Sequence, residues 1–443
     1  MKNITIFGAG LSATSMINYL LEKAEENDWK IRLGDYDEQM AVDKVNGNPR
    51  GKGFKFDVND AAQVEEEVKN ADIVVSMLPA RFHHLIAEKC VDAGRNMLTA
   101  SYISPEMKAL DAEARAKGIG IYNELGVDPG IDHMSAMRII DEIKNNGGKL
   151  TAFFSYTGGL VAPEYDNNPW NYKFTWNPRN VVLAGQGVSK FIRNGRYKYI
   201  PYTQLFSRIM TTSVDGYGDF EIYPNRDSLS YRETYNLTDI PTIFRGTMRR
   251  PGYAKAWNVF VQLGATDDSY VIEDSENMTY RDFINTFLPY EKDTPVEEKI
   301  IKLLPHLIDE NVMRKLNYLE IFSEKPVGLV KATPAKILQK ILEEKWQLEE
   351  GDRDMIVMQH RFEYTDNQGN ERVKISSLVV EGETREITAM AKTVGLPLAI
   401  AVKLVATGKV NLPGVQAPVM SELYNPILDE LKTLGIDFIE KDF

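Results

Sequence analysis

The sequence has little of several features that would place it in large classes of proteins. Its 443 residues include one cysteine, Cys90, which excludes an intrachain disulfide and favours a reducing compartment. Five histidines without a cysteine cluster argue against a zinc site, and the adjacent His83 and His84 do not share a helix face. Neither a phosphate-binding P-loop nor a G-x-S-x-G nucleophile motif occurs. We therefore expect no metal, and nucleophilic catalysis has no support.

Positive charge and long apolar runs are also scarce. Lys and Arg number 52 against 64 Asp and Glu, a formal net charge of −12, which argues against binding to nucleic acid or to an anionic membrane. No apolar run approaches the roughly 20 residues that span a bilayer, and the N-terminus shows no signal-peptide pattern. We expect a cytoplasmic protein that binds small molecules.

The strongest motif present is a glycine loop at the start of the chain. The apolar run Ile4–Phe7 predicts a buried strand, and Gly8, Gly10 and Ala13 follow with the spacing G-x-G-x-x-A before a helical pattern that runs to Asn27. In dinucleotide-binding folds the first glycine makes the turn and the second lets the backbone approach a pyrophosphate at the helix N-terminus. The predicted cofactor-binding residues of this loop are Gly8, Gly10, Leu11, Ser12 and Ala13.

Asp35 predicts which dinucleotide binds. It ends the segment Lys30–Asp35, which reads as the second strand, where a carboxylate meets the hydroxyl groups of the adenine ribose. A carboxylate there repels a 2′-phosphate, so the sequence favours NAD over NADP as the cofactor. A turn-forming aspartate after a strand is the alternative.

Strands and helices alternate up to about residue 124, which predicts a parallel, doubly wound α/β sheet. Because ligands bind at the carboxyl ends of such strands, Met77, Leu78 and Pro79, at the end of a further apolar strand, are expected beside the dinucleotide.

After about residue 150 the pattern changes to strands rich in aromatic residues, which predicts a mixed sheet. Lys173–Trp176 and Val259–Leu263 are among its predicted strands, residues 279–348 look helical, and 354–381 read as a hairpin.

The segment Asn123–His133 carries the densest set of reactive groups. Asp128, Asp132 and His133 follow a predicted strand at the edge of the sheet where ligands bind. For Asp128, a chemical role and a simple Asp-Pro-Gly turn are equally open, whereas capping or orientation is favoured for Asp132.

Several basic residues cluster in the predicted second domain. Arg226, Arg245, Arg249 and Arg250 form a candidate clamp for a substrate with several carboxylates, because a guanidinium group binds a carboxylate through two hydrogen bonds. Solvated arginines with local ion pairs are the alternative.

Taken together, these features resemble the glutamate-forming saccharopine dehydrogenases (saccharopine reductases) of lysine metabolism. The matching stretches are Gly8–Gly10, Met77–Pro79 with Phe82–His83, Thr99–Pro105, Asn123–His133, Gly158–Glu164, Asn168–Trp176, Tyr223–Ser228, Phe244–Thr247 and Gly414–Pro418. The segment that ends Asp-Pro-Gly-Ile-Asp-His is fairly specific for that family, whereas the glycine loop is not.

The resemblance implies a fold and a reaction. It implies a Rossmann domain at 1–125 completed by about 384–443, a mixed-sheet domain for substrate binding and dimerisation at 126–278 plus about 353–383, and a small helical domain at 279–352. The implied reaction interconverts saccharopine with glutamate and 2-aminoadipate 6-semialdehyde, through an imine and by hydride transfer to NAD or NADP. The implied assembly is a homodimer.

The resemblance also implies the substrate site, which comprises Ser101, Tyr102, Asp128, Arg226, Arg245 and Thr247. Asp128 is the first candidate for a catalytic residue and Tyr102 the second. Fungal members of the family use NADP and tend to have small or basic residues where this chain has Asp35, so the cofactor preference stays open. A carboxynorspermidine-type dehydrogenase and a non-catalytic nucleotide-binding regulator are the alternative functions.

Overall fold

Both ends of the chain contribute to the first of two units in this computed structural model, which describes residues 1–443. Unit 1 comprises Met1–Lys149, Asp366–Gln368 and Leu378–Ile439. Unit 2 comprises Leu150–Thr365, Gly369–Ser377 and Glu440–Phe443.

The strands, in chain order, are β1 Lys2–Phe7, β2 Trp29–Asp35, β3 Gly51–Lys55, β4 Ile73–Ser76, β5 Asn96–Thr99, β6 Gly120–Tyr122, β7 Lys149–Val161, β8 Val188–Arg193, β9 Arg196–Pro201, β10 Met210–Val214, β11 Gly218–Pro224, β12 Thr242–Arg249, β13 Asp354–Thr365, β14 Glu371–Glu381, β15 Gly414–Gln416 and β16 Ile439–Asp442.

The α-helices are α1 Thr14–Lys23, α2 Glu38–Val45, α3 Ala61–Asn70, α4 His83–Ala93, α5 Pro105–Ala109, α6 Asp111–Ala116, α7 Ile131–Asn145, α8 Pro178–Val182, α9 Tyr202–Leu205, α10 Tyr231–Thr234, α11 Tyr253–Leu263, α12 Tyr280–Asn285, α13 Val296–Leu303, α14 Glu310–Tyr318, α15 Pro334–Trp346, α16 Ala389–Ala406 and α17 Ser421–Thr433. Short 3-10 helices occupy Leu11–Ala13, Ala80–Phe82, Pro163–Tyr165 and Ser275–Asn277.

Unit 1 is built on a parallel sheet with the strand order β15-β6-β5-β4-β1-β2-β3. The chain runs outward from β1 to β3 and then returns to β4 on the other side of β1. This reversal makes the carboxyl ends of β1 and β4 the expected ligand position of an open α/β sheet. The predicted fold class, a Rossmann-type parallel sheet with a mixed sheet and helices, is confirmed.

Helix α16 closes one face of unit 1 against the glycine loop and α1. A side chain at Gly395 would place its Cβ 2.8 Å from the backbone nitrogen of Met16, so the two helices approach each other closely. By length and composition α16 could cross a membrane, but 78% of its apolar window is buried inside the protein. The buried core helix of a soluble protein can have the same length and apolar composition. Its apolar composition fits this internal position.

Unit 2 is built on a mixed sheet with the path β10-β11-β12-β7-β13-β14-β16. Strands β10, β11 and β12 are antiparallel neighbours, whereas β12 and β7 run parallel, and the hairpin of β8 and β9 attaches to β12. Trp170, Trp257 and Trp346 form a buried aromatic cluster of this unit.

Two of the predicted strands are wrong. Val259–Leu263 lies in helix α11, whose non-buried residues Lys255 and Gln262 are seven positions apart; the predicted run is too short to contain both, so it does not separate helix from strand. Lys173–Trp176 makes no ladder, and the Phe174 amide instead donates to the carbonyl oxygen of Trp346.

The contacts also group the chain differently from the predicted domain bounds. Helix α7 groups with unit 1, which continues to Lys149, and residues 279–352 group with unit 2. The division into three domains stays a prediction.

Lys173 and Asp352 make a buried ion pair in unit 2, and its removal is expected to have a large effect on stability. Lys173 Nζ lies 2.6 Å from Asp352 Oδ2, with the side chains 2% and 6% exposed. Replacing Lys173 by alanine leaves the carboxylate buried without its cation. The free energy of unfolding of unit 2 should fall by about 3–5 kcal/mol.

Urea unfolding followed by tryptophan fluorescence measures this effect, because the tryptophan cluster is buried in unit 2. The matched control is Lys69→Ala, which removes a lysine with a 62% exposed side chain from a surface pair with Glu65 and should leave the curve unchanged. Equal unfolding curves for the two variants would contradict a stabilising role for the buried pair.

Candidate active site

The glycine loop follows β1 and leaves open space where a ligand can come close to the protein backbone. Gly8 has a φ of +106°, and a Cβ there would lie 2.8 Å from the carbonyl oxygen of Met77, so only glycine fits. At Gly10 a Cβ would meet nothing within 4 Å. The first glycine is thus required by the turn from β1 toward α1, which passes close to the end of β4, and the second keeps an open approach to the loop.

The residues after Gly10 present a helix start to this space. Leu11, Ser12 and Ala13 form a 3-10 turn that leads into α1, and the Leu11 side chain is 66% exposed. The first amides of a helix favour phosphate groups, and an exposed leucine beside them offers an apolar surface. This arrangement fits a dinucleotide.

Asp35 is tied to the glycine loop. Its Oδ2 accepts a hydrogen bond from the Ala9 amide at 2.7 Å, and its Oδ1 accepts one from the Asp37 amide at 3.0 Å. The half-buried carboxylate therefore stands at the carboxyl end of β2, directly beside the turn that carries the pyrophosphate-binding glycine in Rossmann folds. The contact with Ala9 was not predicted from the sequence, because it joins the ends of two strands.

Met77, Leu78 and Pro79 follow β4 at the same edge of the sheet. The Met77 amide donates to the carbonyl oxygen of Phe7 at 2.8 Å, which joins this segment to the end of β1. Pro79 is exposed, and Met77 and Leu78 are half-buried. The structure thus places all the predicted cofactor-binding residues on three adjacent strand ends of unit 1.

Tyr102 and Asp128 meet at the next strand ends. Tyr102 follows β5 and Asp128 follows β6, and the Tyr102 hydroxyl donates to Asp128 Oδ1 at 3.2 Å. Tyr102 is exposed and Asp128 is half-buried, so both side chains are accessible from solvent. The first two candidates for catalysis therefore form a hydrogen-bonded pair.

The loop that holds Asp128 is fixed by its own backbone. The Gly126 amide donates to Pro129 O at 2.9 Å, and the Asp128–Pro129 peptide bond is cis. Gly130 has a φ of +148°, and a Cβ there would collide with the backbone of Gly126. The buried Asp132 accepts a hydrogen bond from the Gly130 amide at 2.6 Å, which is an orienting role.

Glu124 and His133 form a buried contact that supports the loop of Asp128. Glu124 Oε2 lies 2.8 Å from His133 Nε2, both residues are buried, and Glu124 Oε1 accepts from the Ile103 amide at 2.9 Å. One carboxylate thus connects the residue after Tyr102 with the helix that follows Asp128. Glu124 has a φ of +59°, an uncommon conformation for glutamate that the sequence did not indicate.

The side chain of Ser101 contacts His83, for which the sequence suggested no role in the substrate site. His83 Nε2 lies 2.6 Å from Ser101 Oγ, and His83 Nδ1 lies 2.8 Å from Ser76 Oγ. The available signal was a histidine at the start of the helix that follows a strand end. Its two serine partners follow from the pairing of β4 with β5, which the sequence does not show.

In unit 2, Arg245 and Thr247 lie within β12, with Arg245 buried, and Arg226 lies two residues after the end of β11. Arg245 and Thr247 are alternate residues of this strand and share one of its faces. The Asn225 amide, next to Arg226, donates to Arg245 O at 2.9 Å, so the two arginines are neighbours. The Arg245 guanidinium lies 3.9 Å from the centre of the Tyr231 ring, a cation–π contact, and Arg226 is exposed.

The other two arginines of the predicted clamp have structural surroundings. Arg249 is buried among three tyrosine rings, with its guanidinium carbon 4.9 Å from the centre of the Tyr172 ring. Arg250 donates to the carbonyl oxygen of Tyr217 and packs on Phe220. These contacts favour a packing role for both.

Comparison with known families covers nearly the whole chain. The family model "Saccharopine dehydrogenase NADP binding domain" matches residues 4–121, and "Saccharopine dehydrogenase C-terminal domain" matches residues 126–436. The saccharopine dehydrogenase (NADP(+), L-glutamate-forming) of Schizosaccharomyces pombe is 34% identical over 450 residues, covering 100% of this chain and 99% of its own. The mitochondrial alpha-aminoadipic semialdehyde synthase of Mus musculus is 33% identical and covers 99% of this chain and 47% of its own.

Solved structures give the same picture. The apo saccharopine dehydrogenase (L-Glu forming) of Saccharomyces cerevisiae matches with a TM-score of 0.91 at 31% identity, covering 100% of both chains. The homospermidine synthase of Legionella pneumophila, solved with NAD, matches with a TM-score of 0.55 at 10% identity, covering 99% of this chain and 91% of its own. The second likeness shows a common fold alone.

Proposed function

The chain belongs to the saccharopine dehydrogenase family, and we propose that it interconverts saccharopine with L-glutamate and 2-aminoadipate 6-semialdehyde in lysine metabolism. It is an oxidoreductase that acts on a CH–NH bond. The observation that carries this proposal is the match to a glutamate-forming relative over 100% of this chain and 99% of its own.

The substrate contains groups that the candidate residues suit. Saccharopine has three carboxylates, a primary amine and a secondary amine. Arg226 and Arg245 can bind carboxylates with paired hydrogen bonds, and Thr247 and Ser101 can add single ones. Asp128, with Tyr102 beside it, can pair with a nitrogen or position a water molecule.

The reaction is balanced by a hydride, a proton and one water molecule. Oxidation removes a hydride from a carbon bonded to the secondary nitrogen and a proton from that nitrogen, which gives an imine. Water then adds to the imine carbon, and the products separate as glutamate and the semialdehyde. A bound nicotinamide supplies the hydride acceptor. The protein contributes orientation and charge complementarity, and Asp128 is the group placed to hold or move a proton.

The dinucleotide is bound by unit 1 alone in this proposal. Gly8, Gly10, Leu11, Ser12 and Ala13 would contact the pyrophosphate, and Met77, Leu78 and Pro79 would line the path to the nicotinamide. The open space at Gly10 supports this assignment, because any larger residue there would fill it.

We further propose that NAD is preferred to NADP. The names of the matching domain and of the Schizosaccharomyces pombe relative specify NADP, so this chain would differ from them. The support is local: Asp35 stands beside the glycine loop, and Asp37 and Glu38 follow it. Two lysines lie in the same region: Lys55 Nζ is 5.7 Å from the centre of the Tyr36 ring, and Lys44 Nζ donates to Thr14 Oγ1 at the start of α1. Of the carboxylates, Asp35 is the one bonded to the glycine loop, and its charge disfavours an added 2′-phosphate there.

Saccharopine oxidation tests the assignment directly. Absorbance of the reduced nicotinamide is followed with saccharopine, with NAD and NADP in parallel, and the expected result is turnover that is faster with NAD. A polyamine without carboxylates, such as spermidine, is the matched control and should give no signal. Lack of turnover with saccharopine and either dinucleotide would refute the proposed reaction, whereas turnover with NADP alone would refute only the cofactor preference.

A further inference from the structure

His83 is a buried imidazole whose two ring nitrogens both contact hydroxyl groups. It is 3% exposed, and it connects Ser76, the last residue of β4, with Ser101, two residues beyond β5. The distances are 2.8 Å from Nδ1 to Ser76 Oγ and 2.6 Å from Nε2 to Ser101 Oγ. This bridge lies at the carboxyl edge of the sheet, where the candidate substrate residues of unit 1 stand.

The imidazole of His83 is neutral at neutral pH. Burial, with a smaller repulsion from His84, lowers its pKa to about 4. A neutral imidazole has one N–H donor and one acceptor nitrogen, so it donates a hydrogen bond to one of the two serine hydroxyls and accepts one from the other. The group therefore holds its neighbours without adding charge to the site.

The backbone of Ser101 is also held by hydrogen bonds. The Glu124 amide donates to its carbonyl oxygen at 3.0 Å, and its own amide donates to Thr99 Oγ1 at 3.3 Å. With the backbone held in this way, the contact with His83 sets the remaining freedom, the direction of the side-chain hydroxyl. A hydroxyl offers one donor and two acceptor positions, so Ser101 keeps capacity for a further partner.

We propose that His83 is a positioning residue for the substrate: its Nε2 fixes the Ser101 hydroxyl so that the hydroxyl can bind a carboxylate or amino group of saccharopine. This inference rests on the proposed function, since it names the same substrate. His83 itself is too buried to touch the substrate, so its influence passes through Ser101.

Two amide variants separate the two nitrogens of His83. A glutamine side chain carries its amide near the position of Nε2 and retains the contact with Ser101, whereas an asparagine carries its amide near Nδ1 and retains the contact with Ser76. We expect His83→Asn to lower kcat/KM for saccharopine about 10-fold, mainly through KM, as for one lost hydrogen bond. We expect His83→Gln to stay within about 3-fold of the wild type, and dinucleotide affinity to be unchanged in both.

Double substitution gives a second readout that general damage to the fold would not reproduce. On a Ser101→Ala background, His83→Asn should cause no further loss, because the hydroxyl that it positions is already gone. Equal effects of His83→Asn and His83→Gln, or a full additional loss on the Ser101→Ala background, would overturn the inference.

The outcomes also distinguish this inference from the proposed function. A wild-type protein that does not turn over saccharopine would refute both, whereas normal wild-type turnover with equal amide variants would refute the role of His83 alone. If His83→Asn fails to bind the dinucleotide, the KM of the Ser101→Ala variant for saccharopine is the deciding measurement. A KM raised about 10-fold then supports the inference, and an unchanged KM overturns it.

Discussion

Replacing Asp128 by asparagine is expected to lower kcat with saccharopine by about 100-fold while dinucleotide affinity stays unchanged. The two side chains have the same shape, so the substitution removes charge and proton-accepting capacity and little else. A positioned acid or base typically contributes 10²–10⁴-fold to the rate. We place the effect near the lower end, since orientation of the reactants also contributes to such a reaction and does not depend on the charge of Asp128.

The geometry explains why the loss should fall on turnover. Asp128 accepts a hydrogen bond from Tyr102 at 3.2 Å at the ends of β5 and β6, whereas the glycine loop lies at the end of β1. The loop around Asp128 is held by backbone contacts of Gly126, Pro129 and Gly130, which asparagine does not alter.

Steady-state kinetics with saccharopine and fluorescence titration with the dinucleotide measure the two quantities separately. The matched control is Asp92→Asn, which makes the same chemical change at an exposed position in the last turn of α4. It should leave both quantities unchanged. Near-normal kinetics in Asp128→Asn would remove this residue from the mechanism.

Replacing Asp35 by asparagine is expected to shift the preference between the two dinucleotides by about 100-fold toward NADP. The ratio of kcat/KM with NAD to kcat/KM with NADP measures it. Like charges brought together in a binding site cost several kcal/mol, and each 1.4 kcal/mol is a factor of about ten. Asparagine is the informative substitution, because its carbonyl oxygen can still accept the hydrogen bond from the Ala9 amide.

The control for this experiment is Asp37→Asn, two residues further along. Asp37 caps the N-terminus of α2 by accepting hydrogen bonds from the Gln39 and Met40 amides, and asparagine caps a helix equally well. A general effect of acidity would appear in both variants, whereas a specific contact with the ribose would appear only at Asp35. A wild-type preference for NADP, or an unchanged ratio in Asp35→Asn, would refute the assigned role of Asp35.

The first unit was predictable because its signals are local. The spacing of Gly8, Gly10 and Ala13 between a strand and a helix indicates the turn, and the turn indicates the parallel sheet. The same reasoning is wrong at α11, where the short apolar run Val259–Leu263 does not show the helical period of the whole segment. It is also wrong at Lys173–Trp176, an irregular segment with bends at its last two residues, which bonds to the end of α15 instead of to a strand.

The position of the unit 1 candidate residues after predicted strands follows from the sequence, whereas their contacts with one another do not. Asp128 and Tyr102 were proposed separately, and the structure adds the hydrogen bond between them. The contacts of Asp35 with Ala9 and of His83 with Ser101 connect residues on neighbouring strand ends. Such pairs depend on the order of strands in the sheet. This order cannot be read from the spacing of residues along the chain.

The discontinuity of unit 1 has a consequence for synthesis on the ribosome. Strand β15 pairs with β6, and α16 covers α1, so the nascent chain emerges with the glycine loop long before the parts that complete its surroundings. All of Leu150–Thr365 is translated in between. The apolar face of α1 therefore remains uncovered while Leu150–Thr365, the largest segment of the second unit, is already available for folding. The dinucleotide site is finished only when the last helices leave the exit tunnel, and the cofactor can bind a completed unit only then.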